Sequence, residues 1–193
     1  NIFKTLLLTF TLTSYIFANS LQENQDILDE TFDNIIKVVQ DTSISKDQRN
    51  EQIVSIIDPI FDFELMAKLS IGKTWFTFSK DQQKEFVDLY IKRMKKSYSE
   101  KLDGYTNEKV KITKAYEPKV GRMNIETQIV GSKDSIDIIY KFYDTKKTST
   151  NKKQWLIYDV EIEGISTIKT DRSQFTSILA RETVEQFLTR LKN

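Results

Sequence analysis

The sequence predicts an α+β fold, a twisted antiparallel sheet of about four strands covered by N-terminal helices and a C-terminal helix. Three observations predict it. Apolar residues recur every three or four positions up to Leu102, every two after Gly104, and every three or four again from Ser173, a switch from the helical period to the strand period and back. The alternating segments succeed one another with no helical run between them, the order of an antiparallel meander rather than of a parallel doubly wound sheet. The 193 residues, 39% hydrophobic and 30% charged, suit one folded domain, and no repeat or linker interrupts them.

Each element follows from its own signals. From Glu23 to Gln40, Ile27, Leu28, Phe32, Ile35, Ile36 and Val39 make one apolar helix face. Ser45 caps a second helix that buries Ile53, Ile56 and Ile57 and stops at Asp58-Pro59. Phe61, Phe63, Leu65, Met66, Leu69 and Ile71 form a short helix ended by Gly72. Ser79 and Gln82 are a capping box that opens a long helix. Its stripe is Phe86, Val87, Tyr90, Ile91, Met94, Tyr98 and Leu102, and Gly104 closes it. Strands follow at Val110 and Ile112, Met123 to Ile129, Ile136 to Phe142, and Leu156 to Ile162. Gly131 to Asp134 is a hairpin turn and Asp144 to Lys153 a polar loop. A closing helix from Ser173 carries Phe175, Ile178, Leu179, Val184, Phe187, Leu188 and Leu191.

The first twenty residues read differently. Lys4, an apolar stretch from Leu6 to Phe17 and small residues around Ala18 and Ser20 have the layout of a cleaved secretory signal peptide. The apolar run is shorter than the roughly 20 residues a spanning helix needs. Residues 1–20 are therefore expected to be the leader and 21–193 a single domain. The 29 basic against 28 acidic residues leave no field of one sign, so a nucleic-acid partner is not expected.

Composition removes most chemistry. Without cysteine there are no disulfides, thiol nucleophiles or thiolate metal sites. Without histidine a Ser-His-Asp hydrolase is impossible, and the commonest general base and metal ligand are missing. No metal, cofactor or catalytic residue is expected.

Three constellations remain. Strict alternation in "WLIYDVEIEGISTIKTDRSQF" (Trp155 to Phe175) turns Leu156, Tyr158, Val160 and Ile162 to one face and Asp159, Glu161 and Glu163 to the other, with Trp155 and Ile157. The apolar set is either a cavity wall or plain core; the acidic set is either paired carboxylates for acid-base work or a solvated stripe. Lys92, Arg93, Lys95 and Lys96 form a basic strip, for an anionic surface or simply for water. Trp75, Phe76 and Phe78 read as packing rather than as a platform for bases.

Two separated motifs carry a resemblance. "FDFELMAKLSIGKTWFTFSKDQQKEFVDLYIKRMKKSY" and "WLIYDVEIEGISTIKTDRSQF" resemble the two hallmark stretches of the MlaC, or toluene-tolerance, family, and the similarity runs from about Phe32 to Leu191. The matching positions are Trp75, Trp155, Asp159, Gly164, Ser166, Arg172, Ser173, Gln174 and Phe175. Thr170-Asp171 stands where the family pattern has an aromatic such as tyrosine, which removes support for a head-group contact at Asp171. The resemblance implies a nuclear-transport-factor-like fold enclosing an apolar cavity, and a periplasmic carrier of glycerophospholipids in a Gram-negative cell. It also implies a monomer, working between an outer-membrane MlaA-like lipoprotein complex and an inner-membrane MlaD-containing ABC transporter to maintain outer-membrane asymmetry.

On that reading the tails are lined by Ile125, Thr127, Ile129, Ile136, Ile138, Tyr140, Tyr158, Val160 and Ile162 from the sheet, with Phe86, Tyr90 and Met94 from the long helix. Gly164 permits a bend and Ser166 bonds locally. Arg172 pairs with Asp159 or, alternatively, with lipid phosphate. Two other functions stay open: a small enzyme of the same cone-like fold using a buried carboxylate, and a periplasmic adaptor that binds only proteins.

Overall fold

The computed structural model describes residues 2–102, 108–131, 135–146 and 154–192, with side chains described outside 2–19 and 99–102. Gly104, residues 132–134 of the expected hairpin turn and 147–153 of the polar loop lie outside the described residues. The elements run α1 (Ile2–Gln40), α2 (Lys46–Ile57), α3 (Phe63–Ile71), α4 (Lys80–Leu102), β1 (Lys109–Lys119), β2 (Arg122–Val130), β3 (Ser135–Asp144), β4 (Trp155–Ile162), β5 (Ile165–Ser166), α5 (Thr167–Leu179) and α6 (Val184–Lys192). The fold is α+β, and its sheet has five strands in the order β1-β2-β3-β4-β5. None of the helices described is long and apolar enough to cross a membrane.

The caps read from sequence form. Ser45 and Gln48 exchange bonds of 2.9 and 3.2 Å, and Ser79 and Gln82 bonds of 2.8 and 3.2 Å, so α2 and α4 each begin on a reciprocal capping box. Gly72 ends α3 at φ +59, a backbone angle that favours glycine, and a Cβ there would press on the Arg172 side chain at 3.3 Å. A tight turn at Glu163 (φ 50) and Gly164 (φ 76) returns the chain from β4 to β5, the left-handed pair that two-residue hairpins favour.

The closing helix differs from expectation. It starts at Thr167 rather than Ser173, capped by Ser166 Oγ accepting from Lys169 N at 3.1 Å, and it breaks before a second helix that Thr183 and Gln186 open. The early turns escaped the periodic reading because the buried stripe of α5 is Ile168, Asp171 and Phe175. A carboxylate occupies the middle position of an otherwise apolar row.

β4 corrects the strict alternation. Phe142 pairs with Ile157 and Tyr140 with Val160, but Lys141 pairs with Asp159, leaving Tyr158 as an extra residue. This bulge flips the phase. Trp155 and Ile157 therefore share the inner face with Val160 and Ile162, opposite Phe142, Tyr140 and Ile138. Tyr158 faces the other way, edge-on to Tyr143 at 6.0 Å and beneath the Arg122 guanidinium at 4.9 Å.

Two hydrophobic cores result. One joins α2, α3, α4, α5 and α6 around Met66, Phe78, Phe86, Tyr90, Phe175 and Phe187. The other is the inner sheet face, Met123, Ile125, Ile138, Phe142, Ile157 and Val160, covered by Leu21, Ile27, Leu28 and Phe32 of α1. Phe61 is the residue that packs against both, and its segment bridges to β4 through Asp62 N donating to Ile157 O at 2.9 Å.

Asp159 ties the sheet to the helical layer. Buried at the bulge, it accepts from Ser166 Oγ at 2.8 Å, Ile168 N at 3.2 Å and Lys141 Nζ at 3.4 Å. Asp159→Ala strips Ser166 and Ile168 N–H of their acceptor in a buried setting. It is expected to destabilise the fold by about 2–4 kcal/mol, seen as a lower urea midpoint at an unchanged denaturant slope.

Candidate functional site

The inner face of the sheet is apolar, as the alternation implies, and its register places the sheet candidates side by side. Ile125 opposes Tyr140, Thr127 opposes Ile138, and Ile129 opposes Ile136 across β2 and β3, while Val160 and Ile162 continue the rows on β4. Thr127 keeps this wall apolar by donating its Oγ1 proton to the Ile138 carbonyl at 3.2 Å. The wall is closed at Met123 and Ile125 and opens toward the β2–β3 connection, where Ile136 is 43% and Ile165 64% exposed.

Phe86, Tyr90 and Met94 are not on that wall. They stand in the helical core, where Phe86 meets Phe78, Phe175 and Phe187 with ring centroids 5.8 to 5.9 Å apart. Tyr90 donates its hydroxyl proton to Asp171 Oδ2 at 2.9 Å, and Arg93 sits 3.4 Å from the other oxygen and 5.3 Å from the Phe175 ring. The twelve candidates therefore divide between two cores, with Tyr158 on the far side of the sheet.

Between the two cores runs a seam. Phe61 lies in it, with Tyr98 of α4 tilted against it at 5.6 Å and Tyr140 of β3 packed against Phe32 of α1 at 5.7 Å. Burial, and then the nearby Tyr140 hydroxyl and the Asp159 and Asp171 carboxylates, hold the Tyr98 pKa well above its ordinary value. Burial alone does the same to Tyr140. The sequence shows Tyr98 only as one more member of the α4 stripe; the polar atom on that stripe was the available signal.

Other candidates find different partners. Arg172 pairs with neither Asp159 nor an open anion site: its Nε and Nη2 both donate to the Leu69 carbonyl, at 2.9 and 2.5 Å, satisfying the end of α3. The acidic residues serve structural contacts: Asp159 as above, Glu161 of β4 paired with Lys141, and Glu163 of the following turn accepting from Asp137 N at 2.5 Å. In the basic strip, Arg93 turns inward to Asp171 and Lys95 pairs with Asp58. Trp75 and Phe78 pack as expected, whereas Phe76 is exposed. Among the described residues no group of histidine, cysteine or carboxylates is placed to hold a metal. A cavity of about 770 Å³, wide open to solvent and bordered by Glu182, Glu185, Gln186, Thr189 and Arg190, lies on α6. Its charged rim suits water rather than hydrocarbon.

The described residues thus present an apolar sheet face bordered by one aromatic seam. The MlaC protein family model matches residues 29–193. The chain belongs to the MlaC family. Among solved structures it is similar to a phospholipid-binding protein from Ralstonia solanacearum in complex with a phospholipid, with a TM-score of 0.73 at 19% identity over 87% of this chain and 94% of that one. No curated protein matches. That likeness supports the α+β assignment for this MlaC family member.

The buried tyrosines set a pH response. Tyr90, Tyr98 and Tyr140 all have folded values raised above 10.0. Below that pH they are neutral in both states; above it the unfolded chain releases protons that the folded chain keeps, so stability falls as pH rises. Lys141 adds to this: burial works to lower its pKa, but the bond to Glu161 and the charges of Asp159 and Glu161 outweigh it and leave it above 10.5. With no histidine, the melting temperature is expected to stay flat between about pH 6 and 9 and to drop steeply beyond pH 10. A series of thermal melts across that range checks it.

Proposed function

We propose that this chain is a carrier of glycerophospholipids. Its family membership, and the fold it shares with a protein solved with a bound phospholipid, support the reading. The observation that carries it is the continuous apolar inner face of the sheet, open at Ile136 and Ile165 and separated from the helical core by an aromatic seam. Burying a methylene is worth about 0.8 kcal/mol, so an acyl chain of roughly 14 resists exposure to water by on the order of 11 kcal/mol. A carrier must therefore shield tails and needs no reaction at the head, which suits a chain lacking histidine and cysteine and with its buried carboxylates committed to structure.

In this proposal residues 1–20 are a leader removed on export, and residues 21–193 work as a monomer in the periplasm of a Gram-negative cell. The chain exchanges lipid between an outer-membrane MlaA-like complex and an inner-membrane MlaD-containing ABC transporter, without enzymatic turnover, and so supports outer-membrane asymmetry. Tails would bind along the inner face at Ile125, Thr127, Ile129, Ile136, Ile138, Val160 and Ile162, with the α4 candidates Phe86, Tyr90 and Met94 backing the seam.

Two experiments test it. Organic extraction and mass spectrometry of the purified protein should release a two-chain phospholipid in near-equimolar amount; an empty protein that also takes up none from vesicles would overturn the carrier reading. Ile136→Glu places a charge on the exposed end of the wall, where folding tolerates it. Retained lipid should fall at least about tenfold while the melting temperature shifts little. Val160, 3% exposed in the sheet core, is unsuited to that test because a charge there would unfold the protein.

A further inference from the structure

The geometry points to Tyr98 as a hydrogen-bond donor to the ester carbonyl of a bound glycerophospholipid, a polar anchor at the seam between the two cores. The inference rests on the carrier reading and names an atom within it.

A tyrosine shut away from water gives its O–H a partner as a rule, because an unmade bond in a dry interior is unfavourable. The fully buried Tyr90 follows the rule, donating to Asp171 at 2.9 Å. The Tyr98 hydroxyl is sealed from solvent and has no hydrogen-bond partner among the described residues. Its ring is fixed by Phe61 at 5.6 Å and Phe63 at 6.4 Å, so the hydroxyl is held in place rather than free to swing out. It also sits at the seam, because the Phe61 ring against it packs against both cores.

The surroundings decide which acceptor fits. Asp159 and Asp171 bear on Tyr98 and disfavour added negative charge there. The cations nearest those carboxylates, Lys141 and Arg93, are already paired with them. With both cations engaged, a phosphate would bury its own charge without a counterion. A neutral carbonyl accepts the proton with no charge to bury, and in a diacyl lipid it is the acceptor that lies next to the tails.

The test compares two lipids that differ only in that carbonyl. The purified protein is incubated with vesicles holding equal amounts of diacyl phosphatidylglycerol and its dialkyl ether counterpart, recovered, and extracted for mass spectrometry. The wild-type protein should be enriched in the ester lipid about 3- to 10-fold, the range one neutral hydrogen bond supplies. Tyr98→Phe should bring the ratio to about one, with a melting temperature no lower than that of the wild type, since the ring stays and an unpaired hydroxyl goes. A wild-type ratio of one overturns the anchor and needs no variant; so does Tyr98→Phe keeping the wild-type ratio. Uptake of neither lipid overturns the carrier reading and the anchor with it, which separates the two failures.

Discussion

The Asp159 carboxylate is the contact on which the arrangement of layers depends. It sits at the β4 bulge, where the strand changes phase, and binds Lys141 of β3, the Ser166 cap and the Ile168 N–H at once. Those bonds fix where α5 leaves the sheet. α5 in turn presents Asp171 to Tyr90 and Arg93 of α4, and Arg172 to the end of α3 at Leu69. One buried charge thereby sets the position of the helical core relative to the sheet core, and the seam between them is a consequence of that placement.

The parts of this structure that depend on local chemistry were legible in the sequence. Capping boxes at Ser45 and Ser79, the glycine stop at Gly72 and the four long strands involve neighbours a few residues apart, so spacing alone identifies them. What was not legible depends on an inserted residue or a distant partner. Tyr158 looks like a cavity residue under strict alternation, and one extra residue sends it to Arg122 on the opposite face. Asp171 breaks the apolar stripe of α5 because its partners are on α4, some 80 residues away. Arg172 was expected at a carboxylate or a phosphate, and it serves a carbonyl at the end of another helix.

The candidate site was legible in the same uneven way. The sheet wall from Ile125 to Ile162 came directly from alternation, since strands outside the bulge keep their phase. Phe86, Tyr90 and Met94 were joined to that wall because all are apolar, but periodicity says which residues share a face and not which other face they meet. The Phe86 ring meets Phe78, Phe175 and Phe187, which come from the α3–α4 connection, α5 and α6.

Two separate cores also solve an energetic problem that any tail-binding domain faces. A dry void of roughly 600 Å³, at about 24 cal/mol per Å³, would be unfavourable by on the order of 14 kcal/mol. That matches the whole stability of a typical domain, about 5–15 kcal/mol. A chain of this size therefore cannot hold such a chamber empty inside one continuous core. Splitting the interior into a helical core and a sheet core lets each pack against itself, so that separating them along Phe61, Tyr98 and Tyr140 breaks few contacts within either. On the carrier proposal, hydrocarbon entering between the two cores would replace the contacts across the seam with its own.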